Sequence, residues 1–161
     1  MRGLISYTAL GGKSGMMGSA PWFIAREFDT SVGGALSGWI ADYNYVDQGP
    51  GGLFNNSTGR FTAPVNGVYL FTVQGIKNNR EAVVRLYIRK NEVSPGTGLD
   101  RGVQVRLDDY GSSDGLYTLG SVQIIYRLKP GDFVSLYTTT GYLHPDDGEY
   151  GNFTGNYIGP N

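Results

Sequence analysis

Along most of the chain apolar and polar residues alternate with a period of two, the spacing of strands that bury one face. Residues 67–76 (GVYLFTVQGI) are the strongest instance, with Val68, Leu70 and Thr72 on one face and Tyr69, Phe71 and Val73 on the other. Apolar side chains on both faces imply burial on both sides, against a second sheet and against another subunit. Residues 82–90 (AVVRLYIRK) alternate more cleanly, turning Val84, Leu86 and Ile88 inward and Arg85, Tyr87 and Arg89 outward. The same pattern places Val103, Val105 and Leu107 together in 102–108, and Val122, Ile124 and Tyr126 together in 116–128. Residues 21–28, 132–139 and 152–158 read as further strands. Residues 38–45 read as one more, with Trp39, Ala41 and Tyr43 on one face and Ile40, Asp42 and Asn44 on the other. The stretch VDQGPGG at 46–52 is a loop by composition. No 3.6-residue apolar stripe and no strict internal repeat interrupts the series. The pattern therefore predicts an all-β fold of about nine or ten short strands in two stacked antiparallel sheets.

Composition supports that reading. The 161 residues suit one domain, and 26 glycines and 7 prolines supply many turns between aromatic and β-branched runs. A net charge of −1 with 17% charged residues argues against a nucleic-acid surface, which needs a clustered cationic excess. Arg85, Arg89 and Lys90 come nearest to a basic run, and Arg85 with Arg89 is expected to form a solvated stripe. The absence of cysteine excludes disulfides and thiolate metal sites. No apolar run approaches the roughly 20 residues of a helical membrane span. Residues 1–12 also lack an apolar segment of signal-peptide type. Residues 1–19, broken by Gly11, Gly12, Gly15 and Gly18, form a leader or an arm that docks on a neighbour, and 20–161 form the domain.

The segment GRFTAPVNGVYLF carries Gly59, Phe61, Pro64, Gly67, Tyr69 and Phe71. That spacing resembles the signature of the C1q globular-domain family. Physically, Pro64 removes a ladder donor at a strand entrance, Gly67 permits a tight bend, and Tyr69 and Phe71 stack on one face. Three further stretches resemble the family in its order: SAPWFIARE (19–27), LKPGDFVSLY (128–137) and FTGNYIG (153–159). In LKPGDFVSLY, Pro130 and Gly131 suit a chain reversal and Asp132 suits bonding to nearby backbone donors.

The resemblance implies a ten-strand antiparallel jelly-roll sandwich of the C1q and tumour necrosis factor shape, assembling as a homotrimer. It also implies an aromatic column along the threefold axis, for which Tyr69, Phe71 and Tyr137 are the candidates. The style of the chain is similar, too, to C1q-like domains of bacterial and phage structural proteins. Two functions follow as expectations. One is a trimeric recognition module for a glycan or protein receptor. The other is a virion structural protein, a decoration or fibre knob held to other virion proteins by residues 1–19. The location is then extracellular or virion.

Catalytic and metal chemistry finds little support. Some family members hold calcium through carboxylates, but the corresponding stretch, 80–92, offers only Glu81, Asn91 and Glu92. The acidic loops around Asp108, Asp109 and Asp114, and around Asp146, Asp147 and Glu149, match no calcium-loop pattern. No cofactor is therefore expected. The single histidine, His144, makes no zinc set. The sequence GSSDG at 111–115 matches a nucleophile-elbow pattern but lies in a turn between strands, with no helix following. Asn55, Asn56 and Asn152 each open an N-x-S/T triplet, which matters only in a secretory pathway. Tyr43, Tyr45, Tyr110, Tyr142 and Tyr150 fall in or beside loops near Asp and Asn, a setting suited to stacking on sugar rings. They are the candidate ligand-binding residues.

Overall fold

A computed structural model describes residues 20–28, 38–40, 43–49, 51–77, 83–92, 103–108, 118–138 and 151–161. Among these residues every regular element is a strand: β1 (Trp22–Phe28), β2 (Gly38–Ile40), β3 (Tyr43–Gln48), β4 (Phe54–Asn55), β5 (Arg60–Thr62), β6 (Gly67–Lys77), β7 (Val83–Lys90), β8 (Val103–Asp108), β9 (Thr118–Leu128), β10 (Phe133–Thr138) and β11 (Asn152–Gly159). One antiparallel sheet runs β3-β1-β11-β6-β9; the other runs β4-β5-β10-β7-β8, with β2 also paired to β10.

The sheets enclose an aromatic core. Phe23 of β1 joins them: its ring stacks 4.6 Å from Phe54 and 5.1 Å from Phe61 of the second sheet, and meets Phe153 of its own sheet edge-on at 4.9 Å. Aromatic pairs in such offset and T-shaped geometries add to what their buried area contributes. Tyr126 bridges the layers from β9, donating its hydroxyl to the Ile88 carbonyl of β7 at 3.1 Å.

The signature residues act mainly through packing. Phe61 is buried in β5, and Tyr69 and Phe71 are stacked 6.3 Å apart on the inner face of β6. Tyr69 also donates to the Val65 carbonyl at 2.9 Å, which ties β6 to the turn before it. Gly67 makes no tight bend. It lies in strand conformation inside β6, and its bare Cα makes room for the Tyr157 ring and for the Gly159 carbonyl, which a Cβ would meet at 2.8 Å.

Three local expectations need correcting. Residues 46–48, read as the start of a loop, belong to β3, where Val46, Asp47 and Gln48 pair with Ala25, Ile24 and Phe23 of β1. Residues 38–45 are not one strand: Trp39 of β2 pairs with Tyr137 in the second sheet, whereas Tyr45 of β3 pairs with Arg26 in the first. The chain changes sheets between Ile40 and Tyr43. The strands β4 and β5, at Phe54–Asn55 and Arg60–Thr62, are additional to the ones read from the alternation.

Candidate functional site

A polar clamp closes one end of the second sheet. β7 is followed by Asn91 and Glu92, both left-handed at φ 52 and 49. Asparagine tolerates that conformation because its short amide can bond locally. Here the Asn91 backbone N–H donates to the Phe133 carbonyl at 2.8 Å, and its side-chain oxygen accepts from the Phe133 N–H at 2.9 Å. The Asn91 amide also donates to Asp132 at 2.9 Å. Asp132 accepts from the Lys129 N–H at 2.9 Å and pairs with Lys90 at 2.9 Å. Partial burial raises the Asp132 pKa, but the Asn91, Lys129 and Lys90 donors outweigh it and hold the carboxyl down at about 2. Beside this node Arg60 donates to both carboxylate oxygens of Glu92 through its Nε and Nη2 groups and lies 4.5 Å over the Phe133 ring. Every charge in the clamp has a partner within it, so its chemistry is that of a structural lock.

The outward surfaces of the two sheets differ in character. On the first, Leu70 and Ile76 of β6 stand opposite Ile125 and Leu119 of β9. Leu119, Ile125 and Ile158 remain 58%, 60% and 52% exposed on this sheet. Thr72, Gln74, Gln123 and Thr154 lie among them. On the second sheet the outward positions carry arginines and tyrosines. Arg85 stands opposite Arg106, and Tyr87 opposes Tyr137 with rings 6.1 Å apart.

Among the described residues, those singled out in sequence lie at separate places in the fold. Tyr45 is open, 62% exposed on β3. Tyr43 is not a surface residue: it is 1% exposed, its ring set edge-on to Phe54 at 5.2 Å, and burial pushes its phenol pKa far above the ordinary range. It lies where the chain arrives from the other sheet, so the ring drops into the core. Tyr110, Tyr142 and Tyr150 lie outside the described residues. Tyr69 and Phe71, read as axis residues, are fully buried within this chain's own sandwich. The face of β6 turned away from the core is instead that of Val68, Leu70 and Thr72. Tyr137 is half-buried on the outward face of the other sheet. The expected solvated stripe also changes, since Arg89 is only 3% exposed, its guanidinium 4.7 Å over the Tyr87 ring. Arg106, which sequence reading passed over, gains interest only from its register opposite Arg85; the two are 21 positions apart, and no local motif joins them.

The comparisons with known proteins agree with this architecture. The globular domain of zebrafish complement 1qA protein superposes with a TM-score of 0.61 at 21% identity, covering 88% of this chain and 99% of that one, which shows a shared fold. Complement C1q tumor necrosis factor-related protein 3 from Mus musculus is 31% identical over 113 residues, and the Homo sapiens protein is equally similar. The aligned segment covers 70% of this chain but 42% of each relative, so the chain spans less than half their length. The family model of the C1q domain matches residues 39–158, from Trp39 in β2 to Ile158 in β11. With that model covering most of the sequence, the chain belongs to the C1q domain family.

Proposed function

We propose that the chain is a non-enzymatic recognition module that assembles as a homotrimer and binds a glycan or protein receptor. C1q-domain proteins form trimers and bind receptors, and that membership supplies the class. One observation carries the reading for this chain: Leu119, Ile125 and Ile158 lie more than half exposed on the outward face of the first sheet. Leaving such a face in water is unfavourable by roughly 25 cal/mol per Å² of apolar surface, and a second copy of the same surface chemistry is a fitting cover. Three copies held rigidly would also multiply a weak receptor contact through avidity. Tyr45, open on β3 of the same sheet, is the member of the tyrosine set that, among the described residues, stands ready for such a contact.

Light scattering on the purified chain tests the assembly. The expected mass is three times the 17.4 kDa chain, falling to one chain in Ile125→Glu. A wild-type chain that runs as a monomer at all concentrations overturns the trimer. Glycan-array and receptor-capture measurements on the trimer test recognition, and Tyr45→Ala is expected to weaken the contact.

A further inference from the structure

Asn66 is followed directly by Gly67, the one Asn-Gly pair in the sequence. An asparagine amide carbon lies within reach of the next residue's backbone nitrogen, and a glycine there has no Cβ to obstruct the approach. In the reaction open to such a pair, a bond forms between the Gly67 nitrogen and the Asn66 Cγ. The nitrogen gives up its proton, and the side-chain amide leaves as ammonia. Water then opens the five-membered imide at either carbonyl, giving aspartate or isoaspartate.

The fold opposes this ring closure. Asn66 is exposed, but Gly67 is buried and begins β6, in register with Leu128 of β9. Closing the imide turns the peptide plane between the two residues and so swings Gly67 out of its place. That place is tight: the Tyr157 ring and the Gly159 carbonyl crowd the Gly67 Cα so closely that even a Cβ finds no room. On the N-terminal side, the Tyr69 hydroxyl donates to the Val65 carbonyl at 2.9 Å and fixes the turn that carries Asn66. The amide is open to water while the attacking nitrogen is locked in place.

We propose that Asn66–Gly67 is a self-modification site that the fold holds shut and that opens when the start of β6 detaches. Isoaspartate routes the backbone through the side-chain carbons and adds a methylene to the main chain immediately ahead of β6. That strand must enter in one register to bring Tyr69 and Phe71 into the core, where both are fully buried. The pair therefore makes a long excursion of β6 irreversible: a chain that stays open until it reacts does not regain the native packing. The site requires neither a ligand nor a second copy, and so stands apart from the recognition reading.

The test holds the full chain at one concentration in mildly alkaline buffer, either folded or in guanidinium chloride. Conversion at Asn66 is followed by peptide mapping with mass spectrometry. Wild type is expected to convert about tenfold or more slowly when folded, since reaction is confined to the opened fraction. Tyr69→Phe releases the turn and should convert several-fold faster than wild type under native conditions. Phe54→Leu, which weakens the core at β4, should stay within about twofold of wild type, because the opening that matters is local. After equal times in denaturant and dilution, wild type should regain its native near-ultraviolet circular dichroism only in the fraction without isoaspartate. Asn66→Gln, whose longer side chain needs a six-membered ring, should refold as fully as a freshly diluted sample. The proposal is overturned if folded and unfolded chains convert at the same rate, or if the isoaspartyl chain refolds with the wild-type denaturation midpoint. Equal acceleration in Phe54→Leu and Tyr69→Phe would show that only global unfolding exposes the pair, which overturns the local gate.

Discussion

The ring of Phe23 lies over the bare Cα of Gly155, its cross-strand partner in β11. A Cβ at Gly155 would overlap Cε1 of Phe23 and stand 2.7 Å from Cε1 of Phe71. Neither ring has room to withdraw: Phe23 is also packed on Phe54, Phe61 and Phe153, and both rings are fully buried. The glycine of the closing FTGNYIG stretch is thus a packing requirement of the core. Gly155→Ala is expected to destabilise the fold by about 3 kcal/mol, as overpacking of a filled interior does, even though alanine ordinarily suits a strand better than glycine. The urea midpoint checks it, and a midpoint equal to wild type would refute the packing account.

Asp132 links stability to pH. Its carboxyl lies at about 2 in the fold against an ordinary 3.8, so the unfolded chain binds the proton more readily. The stabilisation is therefore present above pH 4 and is lost as pH falls through 3.8 towards 2. Asp132→Asn removes the ion pair with Lys90 and one acceptor of the clamp, and should cost about 1–2 kcal/mol at pH 7. Urea titrations of both proteins at pH 7, 4 and 2.5 should show the gap narrowing only in the most acid series. A gap that stays constant across the three would show that the carboxylate's charge is not what matters.

The two sheets are also held by polar contacts across the core. Tyr126 is nearly buried, and its hydroxyl reaches the Ile88 carbonyl of the opposite sheet. Tyr126→Phe keeps the ring and deletes that donor, with an expected loss of about 1 kcal/mol and no change in the dependence of stability on denaturant. Calorimetry or urea unfolding gives the value, and a variant as stable as wild type would show the bond contributes nothing net.

What could be read from the sequence follows from how long each pattern runs. β6, β7 and β9 are long enough for a period of two to declare itself, and the inward sets Val84, Leu86, Ile88 and Val122, Ile124, Tyr126 are the ones that face the core. β4 and β5 have two and three residues, too few for any period to show. The switch of sheets between Ile40 and Tyr43 leaves no mark on the alternation, so Trp39 and Tyr43 looked like neighbours on one face. β6 posed a different difficulty: with apolar residues on both sides, alternation alone cannot say which set faces inward. The deciding contact is remote, since Tyr69 and Phe71 pack against Tyr157 and Phe153 of β11. The Arg85–Arg106 opposition is likewise a matter of register, invisible until β7 and β8 are paired.

Tyr43 supplies an alkaline counterpart to Asp132. Burial raises its phenol pKa above the ordinary 10.0, so the unfolded chain ionises first and this contribution to stability is lost as pH rises past 10. Tyr43→Phe should therefore unfold at a higher pH than wild type in an alkaline titration followed by near-ultraviolet circular dichroism. Tyr45→Phe, altering an open position, should leave that midpoint unchanged. Equal midpoints for all three proteins would place the cause of alkaline unfolding elsewhere.

The exposed aliphatic face makes a prediction about mass action that differs from a measurement of size. If copies of the chain cover Leu119, Ile125 and Ile158, association and folding are coupled, and the thermal midpoint must rise with protein concentration. A hundredfold increase in concentration should raise it by several degrees, since a trimer gains stability with the logarithm of concentration. In Ile125→Glu the charge would have to be buried in the contact, which strongly opposes assembly. That variant should unfold at a concentration-independent midpoint below the wild-type values. Differential scanning calorimetry over that range decides it, and a wild-type midpoint that ignores concentration would mean these side chains face solvent in the working protein.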